Sequence, residues 1–341
     1  MQQAQLPLEA ILYQYDLYPE AVEDHGENVK KLVTKHGLFA LKKTQMTRSQ
    51  ADWFVYCMRK LDRLGYRKVV PLVPTKFGEY TLTDRDTSFY VMPWIESIPY
   101  NARESQEEKL ADQLGVIHRL TVKTQPFSKE QLEASYNELR DRWDSRWLTM
   151  NRFADQAERK TYMSPYELTL LTHFSFLEHM AHTAKESLEA WYETCLEKEK
   201  YRSVLCHGRL SRAHAFFNER HEPLLFNFER AALDTPARDL ASFFRHSFPH
   251  ALWSEEEGHR WLYRYEQHLP LLEEEKRLLH AYLSFPDPVI YGIEAYQQQS
   301  GPPSEVKHVK RLEKRLLNLR RVERFSKSLL PTPAINESGL S

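Results

Sequence analysis

The chain is short of glycine and cysteine, and its charges nearly cancel. It has 10 glycines and 3 cysteines in 341 residues, and 47 Lys and Arg stand against 48 Asp and Glu. Because Cys57, Cys195 and Cys206 are odd in number and scattered, the sequence disfavours a disulfide framework or a zinc site and is typical of a reducing compartment. The balanced charge gives no global field that would attract nucleic acid or an anionic membrane.

The chain also lacks long apolar runs. No stretch approaches the roughly 20 apolar residues of a membrane helix, and the first residues, MQQAQLPLEA, lack the basic and then apolar pattern of a signal peptide. We therefore expect synthesis in the cytoplasm, no membrane insertion and no nucleic-acid partner. The residues that are present, 41% hydrophobic and 28% charged, predict a globular protein with a large core.

The most informative stretch runs from residue 204 to residue 244. Its parts, in order, are an apolar strand at Val204–Cys206, the pair His207-Gly208, a hairpin formed by Ala213–Phe217 and Pro223–Phe228, and a helix that opens at Thr235-Pro236 and carries Asp239-Leu240. Threonine before proline at the first helical position is a strong helix start. The polar residues between the two hairpin strands predict their turn.

This order and spacing resemble the catalytic segment of the protein-kinase-like phosphotransferases of the aminoglycoside and choline kinase type. Their pattern runs His-Gly-Asp, four residues, Asn, then a hairpin that ends in Asp-Phe-Asp or Asp-Phe-Glu, then a helix with Asp-Leu. In this chain the pattern falls on His207, Gly208, Arg209, His214, Asn227, Phe228, Glu229, Asp239 and Leu240. The resemblance implies that Asp239 is a structural residue, and we expect His207 to be a hydrogen-bonding framework histidine rather than a catalyst.

The groups that such a site needs are absent at three positions of the pattern. The first Asp of an active site takes the proton of the attacking hydroxyl, but the guanidinium of Arg209 has no acceptor. His214 offers a nitrogen where Mg²⁺ prefers oxygen, and Asn227 keeps a carbonyl oxygen without a charge. We therefore expect a degenerate site at Arg209, His214 and Asn227, with no catalytic residue and no metal.

The run LFNFERAALDTPARDLASFFR is similar to the corresponding run of the CotS family of spore-coat proteins, and in particular to its YsxE-like branch. The resemblance implies an α+β, two-lobed kinase-like fold: a small β-sheet lobe at 1–94, a mostly helical lobe at 95–328 that contains the degenerate segment 204–244, and a flexible tail at 329–341. It also implies synthesis in the mother cell, deposition in the spore coat and other coat proteins as partners.

The predicted small lobe departs from an ATP site as well. Strands beginning at Val29 and Leu38 meet at a His36-Gly37 turn, but only Gly26 stands where a glycine-rich loop would cover phosphates. Leu38 and Ala40 alternate with Lys42, so we assign Lys42 rather than its neighbour as the phosphate-contacting lysine. The helix over 48–64 contains no glutamate to pair with it, and Asp52 is its acidic candidate.

Three strands and several helices complete the prediction. The strands are Val69–Val73, Glu79–Leu82 and Phe89–Met92, and the helices include Leu132–Phe153, Tyr166–Leu196, Glu255–His268, Leu271–Ser284 and Val306–Ser328. They follow from alternating apolar residues in the strands and from helical spacing in the rest.

The sequence leaves three interpretations of function. The leading one is a non-catalytic, pseudokinase-like spore-coat component that acts in coat assembly through protein–protein contacts. It requires no cofactor, although Lys42, Arg209 and Glu229 are candidate contacts for ATP, ADP or another phosphate bound without a metal. The alternatives are an active phosphotransferase with a non-standard site, which acts on a small molecule or a coat protein, and a helical adaptor unrelated to kinases.

Overall fold

The computed structural model describes residues 6–101, 103, 105–250, 255–298 and 304–330. The helices in those ranges are α1 (Leu8–Gln14), α2 (Arg48–Arg63), α3 (Gln106–Thr121), α4 (Lys129–Glu158), α5 (Pro165–Thr172), α6 (Phe174–Leu196), α7 (Pro236–Ser247), α8 (Glu255–Glu266), α9 (Glu273–Ser284), α10 (Asp287–Gln297) and α11 (Glu305–Lys327). The strands are β1 (Ala21–Asp24), β2 (Val29–Thr34), β3 (Gly37–Thr44), β4 (Leu82–Asp84), β5 (Thr87–Pro93), β6 (Lys123–Pro126), β7 (Lys200–Cys206), β8 (Ala215–Phe217), β9 (Pro223–Leu225) and β10 (Ala232–Asp234). Most of the predicted tail lies outside the described residues.

The chain divides into two compact units. The first comprises Met1–Thr121 and Leu205–Leu233, and the second comprises Val122–Val204 and Asp234–Ser341. The first unit therefore contains the sheet, α2, α3 and most of the segment that resembles a catalytic site. The lobe boundary predicted at Trp94 stays a prediction.

The first unit is built on a five-stranded antiparallel sheet with the order β1-β2-β3-β5-β4. One face of this sheet is covered by α1 and the residue after it, since Ile11, Leu12 and Tyr15 share a buried cluster with Leu32 and Val91. The second helix, α2, starts where Thr47 caps it in a reciprocal bond with Gln50. The strands β8 and β9 form the predicted hairpin in the same unit.

The second unit is mostly helical. Its main contact is between α6 and α9, and α7 also packs on α9. Trp143 of α4 stacks on Phe285 with ring centroids 4.7 Å apart, and β6 pairs with β7 in antiparallel register. None of the helices in the described ranges combines the length and the apolar character that a bilayer crossing needs.

The structure confirms most predicted elements and corrects three. The predicted strand Val69–Val73 forms only isolated bridges, from Val69 to Leu225 and from Val73 to Val91. The reason is Pro71, which has no N–H and cannot continue a ladder of hydrogen bonds. The predicted helix Tyr166–Leu196 is two helices, α5 and α6, separated at His173, whose φ of −107° leaves the helical range.

The third correction concerns the strand predicted at Glu79–Leu82. The strand in this region, β4, begins only at Leu82 and continues to Asp84. Its position is set by pairing with β5, in which Leu82 lies opposite Phe89 and Asp84 opposite Thr87. The partner strand therefore shifts the element by three residues at its start, which the local pattern could not show.

Candidate functional site

A cluster of polar side chains surrounds the amine of Lys42, near the end of β3. The Nζ atom lies 2.8 Å from Oε1 of Glu229, and the two side chains are only 14% and 16% exposed. The same amine donates a hydrogen bond to Oδ1 of Asn227. The lysine is therefore bound by the two residues that stand where the pattern has Asp and Glu after the hairpin.

Two further residues fix the carboxylate of Glu229. The Tyr90 hydroxyl donates to Oε1 over 2.8 Å, and the Thr44 hydroxyl donates to Oε2 over 3.0 Å. Burial raises the pKa of Tyr90 well above its usual value, and the neighbouring Glu229 raises it further, so Tyr90 stays a donor. Both carboxylate oxygens are thus occupied by side chains of the sheet.

The sheet register brings these residues together. Lys42 lies directly opposite Tyr90 in the β3–β5 ladder, and Thr44 is two residues further along β3, on the same face. Sequence reasoning missed Tyr90 and Thr44. Their only local signal is the alternation of side chains, which marks Thr44 as a neighbour of Lys42 but does not pair either residue with Glu229.

The backbone at Asn227 is left-handed, with φ of 71° and ψ of 41°, just before the short 3-10 helix Phe228–Arg230. Asparagine and aspartate tolerate this conformation better than other residues with a Cβ. Asn227 therefore satisfies the backbone requirement of this turn as an aspartate would. It lacks the charge that a metal ligand would supply.

His207 is a fully buried framework residue in the first unit. Its Nε2 donates to the carbonyl of Phe226 over 3.0 Å, and its Nδ1 accepts from the N–H of Arg209 over 3.3 Å. Its ring also packs on Phe228, with centroids 4.4 Å apart. These contacts are those of the framework histidine that we expected at His207.

Gly208, next in the chain, lies against the backbone of Arg230. Its φ is +80°, and a Cβ at this position would be 2.2 Å from the Arg230 carbonyl oxygen. Only glycine allows this approach, because such a separation is far shorter than any normal contact. The His207-Gly208 turn is thereby joined to the segment that carries Glu229.

Arg209 and His214 occupy the remaining positions of the pattern. Arg209 is exposed, and within the described residues its guanidinium has no hydrogen bond or ion pair. The Nδ1 of His214 donates to the Arg209 carbonyl over 2.6 Å. Burial lowers the pKa of His214 to about 4, and the positive charges of Arg209 and Lys42 act in the same direction. His214 is therefore neutral near pH 7.

The lowered pKa of His214 predicts a pH dependence of stability. Between pH 6.5 and about 4 the unfolded chain binds a proton that the folded His214 does not, so stability should fall as the pH falls through this window. Between pH 7 and pH 4.5 the free energy of unfolding should therefore fall less in His214→Gln than in the wild type. After allowance for the partial exposure of His214, we expect this difference to be about 1 to 2 kcal/mol. Urea unfolding at both pH values measures this.

A second buried histidine serves as the reference for that measurement. Burial lowers the pKa of His280, in the second unit, to about 4 as well. His280 is unchanged in both proteins, so its contribution cancels when the two are compared. Identical losses of stability in the wild type and in His214→Gln would show that His214 titrates normally.

Two acidic residues that the sequence analysis singled out, Asp52 and Asp239, do not belong to the cluster around Lys42. Asp52, the candidate partner of the lysine, forms an ion pair with Arg48 over 3.2 Å, and both side chains are 60% exposed. Lys42 is paired with Glu229 instead, so its acidic partner comes from the segment after the hairpin and not from α2. Asp239 lies in the first turn of α7 and is 1% exposed. Its structural role stays a prediction.

The fold and the arrangement around Lys42 define a protein of the protein-kinase-like phosphotransferase fold. The chain is similar to an aminoglycoside phosphotransferase from Alicyclobacillus acidocaldarius, with a TM-score of 0.76, 19% identity and 96% of each chain covered. It is also similar to spectinomycin phosphotransferase APH(9)-Ia, with a TM-score of 0.64, 12% identity, 92% of this chain and 96% of that one. The predicted two-lobed, kinase-like α+β fold is thereby confirmed.

The family follows from a direct match of the sequence. Residues 9–329 match the family described as "Spore coat putative kinase YutH", and the chain belongs to this family. The predicted membership of a spore-coat family with a kinase-like fold is confirmed, and the family that the match names is YutH rather than the YsxE-like branch of CotS. A match across nearly the whole chain also excludes the unrelated helical adaptor.

Proposed function

We propose that the protein is a pseudokinase of the spore coat, which keeps the kinase-like frame and does not transfer phosphate. The observation that carries the proposal is the pairing of Lys42 with Asn227 and Glu229. In an active phosphotransferase the corresponding lysine contacts nucleotide phosphates, and an aspartate in the place of Asn227 holds magnesium. In this protein the residues of the lysine and metal sites bind each other.

The other two positions support the same proposal. Arg209 carries a fixed positive charge where the reaction needs a proton acceptor. His214 is neutral, and its Nδ1 proton is committed to the Arg209 carbonyl. Neither residue supplies a hard oxygen ligand for Mg²⁺.

The proposed role is in coat assembly. Membership of a spore-coat family supports a protein that is made in the mother-cell cytoplasm, enters the coat and binds other coat proteins there. A stable frame is sufficient for this role, because protein binding requires a surface and not a catalytic carboxylate. No cofactor is needed.

A phosphate ligand remains compatible with this role through Arg209. Its exposed guanidinium can donate hydrogen bonds to two phosphate oxygens at once without a metal. The related spectinomycin phosphotransferase is described in complexes with AMP and with ADP. We propose that any ATP or ADP bound here is held by Arg209 without magnesium, and that Lys42 contributes a second charge only after it releases Glu229.

We expect purified protein to show no transfer of the γ-phosphate of ATP above background with Mg²⁺ present, because a proton acceptor and metal ligands are missing. A radiometric assay with the protein itself and with coat extract as acceptors measures this. The matched control is the variant Arg209→Asp/His214→Asn/Asn227→Asp, which restores the family pattern. We expect this variant to gain Mg²⁺-dependent binding of ADP in calorimetry.

Two outcomes would count against the proposal. Turnover by the wild type that disappears in Glu229→Ala would show an active enzyme with a non-standard site, which is the alternative function. Binding of ADP to the wild type that requires Mg²⁺ would remove the metal-free role of Arg209. Binding that persists in excess chelator and weakens at least about tenfold in Arg209→Ala supports that role.

A further inference from the structure

A small pocket lies in the first unit beside the segment that follows β5. Its volume is about 210 Å³. The described residues that line it are Ser97, Ile98, Tyr100, Gln106, Arg212, Ala213, Ala215 and Phe217. None of these belongs to the cluster around Lys42, and Ala215 and Phe217 share one face of β8, opposite Phe216. The pocket is thus distinct from the Lys42 cluster, although part of its lining comes from the segment 204–244 that resembles a catalytic site.

Gln106, the first residue of α3, is the unusual member of this lining. It is 0% exposed, and neither its Nε2 nor its Oε1 has a hydrogen-bond partner within the described part of the chain. Buried amides are normally satisfied, because an unpaired polar group loses its water without compensation. A residue beside a pocket whose donor and acceptor both lack a partner fits a ligand that supplies one acceptor and one donor.

Arg212 gives the pocket lining a positive charge. Its guanidinium carbon lies 4.3 Å from the centroid of the Tyr100 ring, and the Tyr100 hydroxyl donates to Oε1 of Glu107 over 2.6 Å. Glu107 is only 2% exposed, and burial raises its pKa, which the hydrogen bond and Arg212 partly offset. The hydrogen bond to Glu107 holds the Tyr100 ring on which Arg212 stacks, and this stacking helps to position the cation.

Another part of the lining is apolar. Ile98, Ala215 and Phe217 present no side-chain hydrogen-bonding group, and Ala215 and Phe217 are 6% and 3% exposed. A ligand that fills this pocket therefore needs both an apolar body and polar groups. An engineered apolar cavity of about 150 Å³ accommodates benzene, so the present volume suits a slightly larger molecule.

We propose that this pocket binds a small α-amino or α-hydroxy acid with an apolar side chain. The carboxylate accepts from Arg212. The Gln106 amide, which is fully buried beside the pocket in this structure, turns into the pocket, so that its Nε2 donates to the carboxylate and its Oε1 accepts from the amino or hydroxyl group on the adjacent carbon. The apolar side chain lies against Ile98 and Phe217. A carboxylate and a donor on adjacent atoms satisfy both open positions of one amide, which a simple amine or a simple acid does not.

Calorimetry with defined probes tests the proposal. The probes are L-leucine, L-phenylalanine and 3-phenyllactate, with phenethylamine, which lacks the carboxylate, and 3-phenylpropanoate, which lacks the α donor, as comparisons. We expect at least one of the first three to bind with a Kd below about 1 mM, which is within reach of a ligand of this size. Both comparison compounds should bind at least about tenfold more weakly.

Variants assign the binding to this pocket. Gln106→Leu keeps the size of the side chain and removes its amide, and Arg212→Met removes the charge, so each should weaken binding at least about tenfold. The control is Arg220→Met, because Arg220 is exposed in the turn between β8 and β9 and does not line the pocket. Its affinity should equal that of the wild type.

If Arg212→Met or Gln106→Leu fails to fold, Ala213→Met provides an independent test. Ala213 is an exposed lining residue, so a longer side chain there narrows the pocket from its outer edge and should abolish binding of phenylalanine. The proposal is overturned if none of the acids binds, or if binding is unchanged in the folded pocket variants.

Discussion

Alanine in place of Gly208 should lower the free energy of unfolding by about 3 to 4 kcal/mol, the sum of about 1 kcal/mol for a strained backbone and about 2 to 3 for overpacking. A Cβ at this position would be 2.2 Å from the Arg230 carbonyl oxygen and 2.9 Å from its carbon. Both atoms belong to the backbone and cannot rotate away as a side chain does. The segment that carries Glu229 would have to move.

Gly65→Ala is the matched control for this substitution. The φ of Gly65 is +78°, nearly the +80° of Gly208, but a Cβ at Gly65 would have no heavy atom within 4 Å among the described residues. The control therefore suffers only the backbone strain, about 1 kcal/mol. Urea unfolding of the two variants separates strain from collision, and equal losses would show that the contact between Gly208 and Arg230 is not as tight as described.

Removal of the Glu229 carboxylate should have the next largest effect. In Glu229→Ala the Lys42 amine loses the carboxylate that balances its charge, and the Tyr90 and Thr44 hydroxyls lose their acceptor. Breaking a fully buried ion pair costs about 3 to 5 kcal/mol. Because Lys42 and Glu229 are 14% and 16% exposed, we expect a smaller loss, about 2 to 3 kcal/mol.

A double-mutant cycle isolates the pair from the other contacts. Lys42→Met alone should cost less than Glu229→Ala, since Glu229 keeps its bonds from Tyr90 and Thr44. Together the two substitutions should cost at least about 1 kcal/mol less than the sum of the single losses. Lys43→Met, on the opposite face of β3, serves as the control. Its effect on the free energy of unfolding should simply add to that of Glu229→Ala, with no coupling energy. Strict additivity of Lys42→Met with Glu229→Ala would contradict the pairing.

Much of the fold could be predicted because its signals are local. The β2–β3 hairpin follows from two alternating strands around Gly37, and α7 follows from Thr235 before Pro236. The strand predicted at Val69–Val73 failed although its β-branched residues favour extended backbone, because Pro71 interrupts the ladder and the two ends bridge to different partners, Leu225 and Val91. Extended conformation is a property of a segment, whereas pairing depends on what lies beside it.

The candidate site shows the same division. The sequence by itself determined what Arg209, His214 and Asn227 can do, because the presence of an acceptor, a hard oxygen ligand or a charge is a property of the residue type. Only the tertiary structure decided that Lys42 binds Glu229, which lies far along the chain from it. That contact depends on the β3–β5 register and on the turn at Asn227. The open amide of Gln106 is likewise invisible in the sequence, since whether a polar group finds a partner depends on every element packed around it.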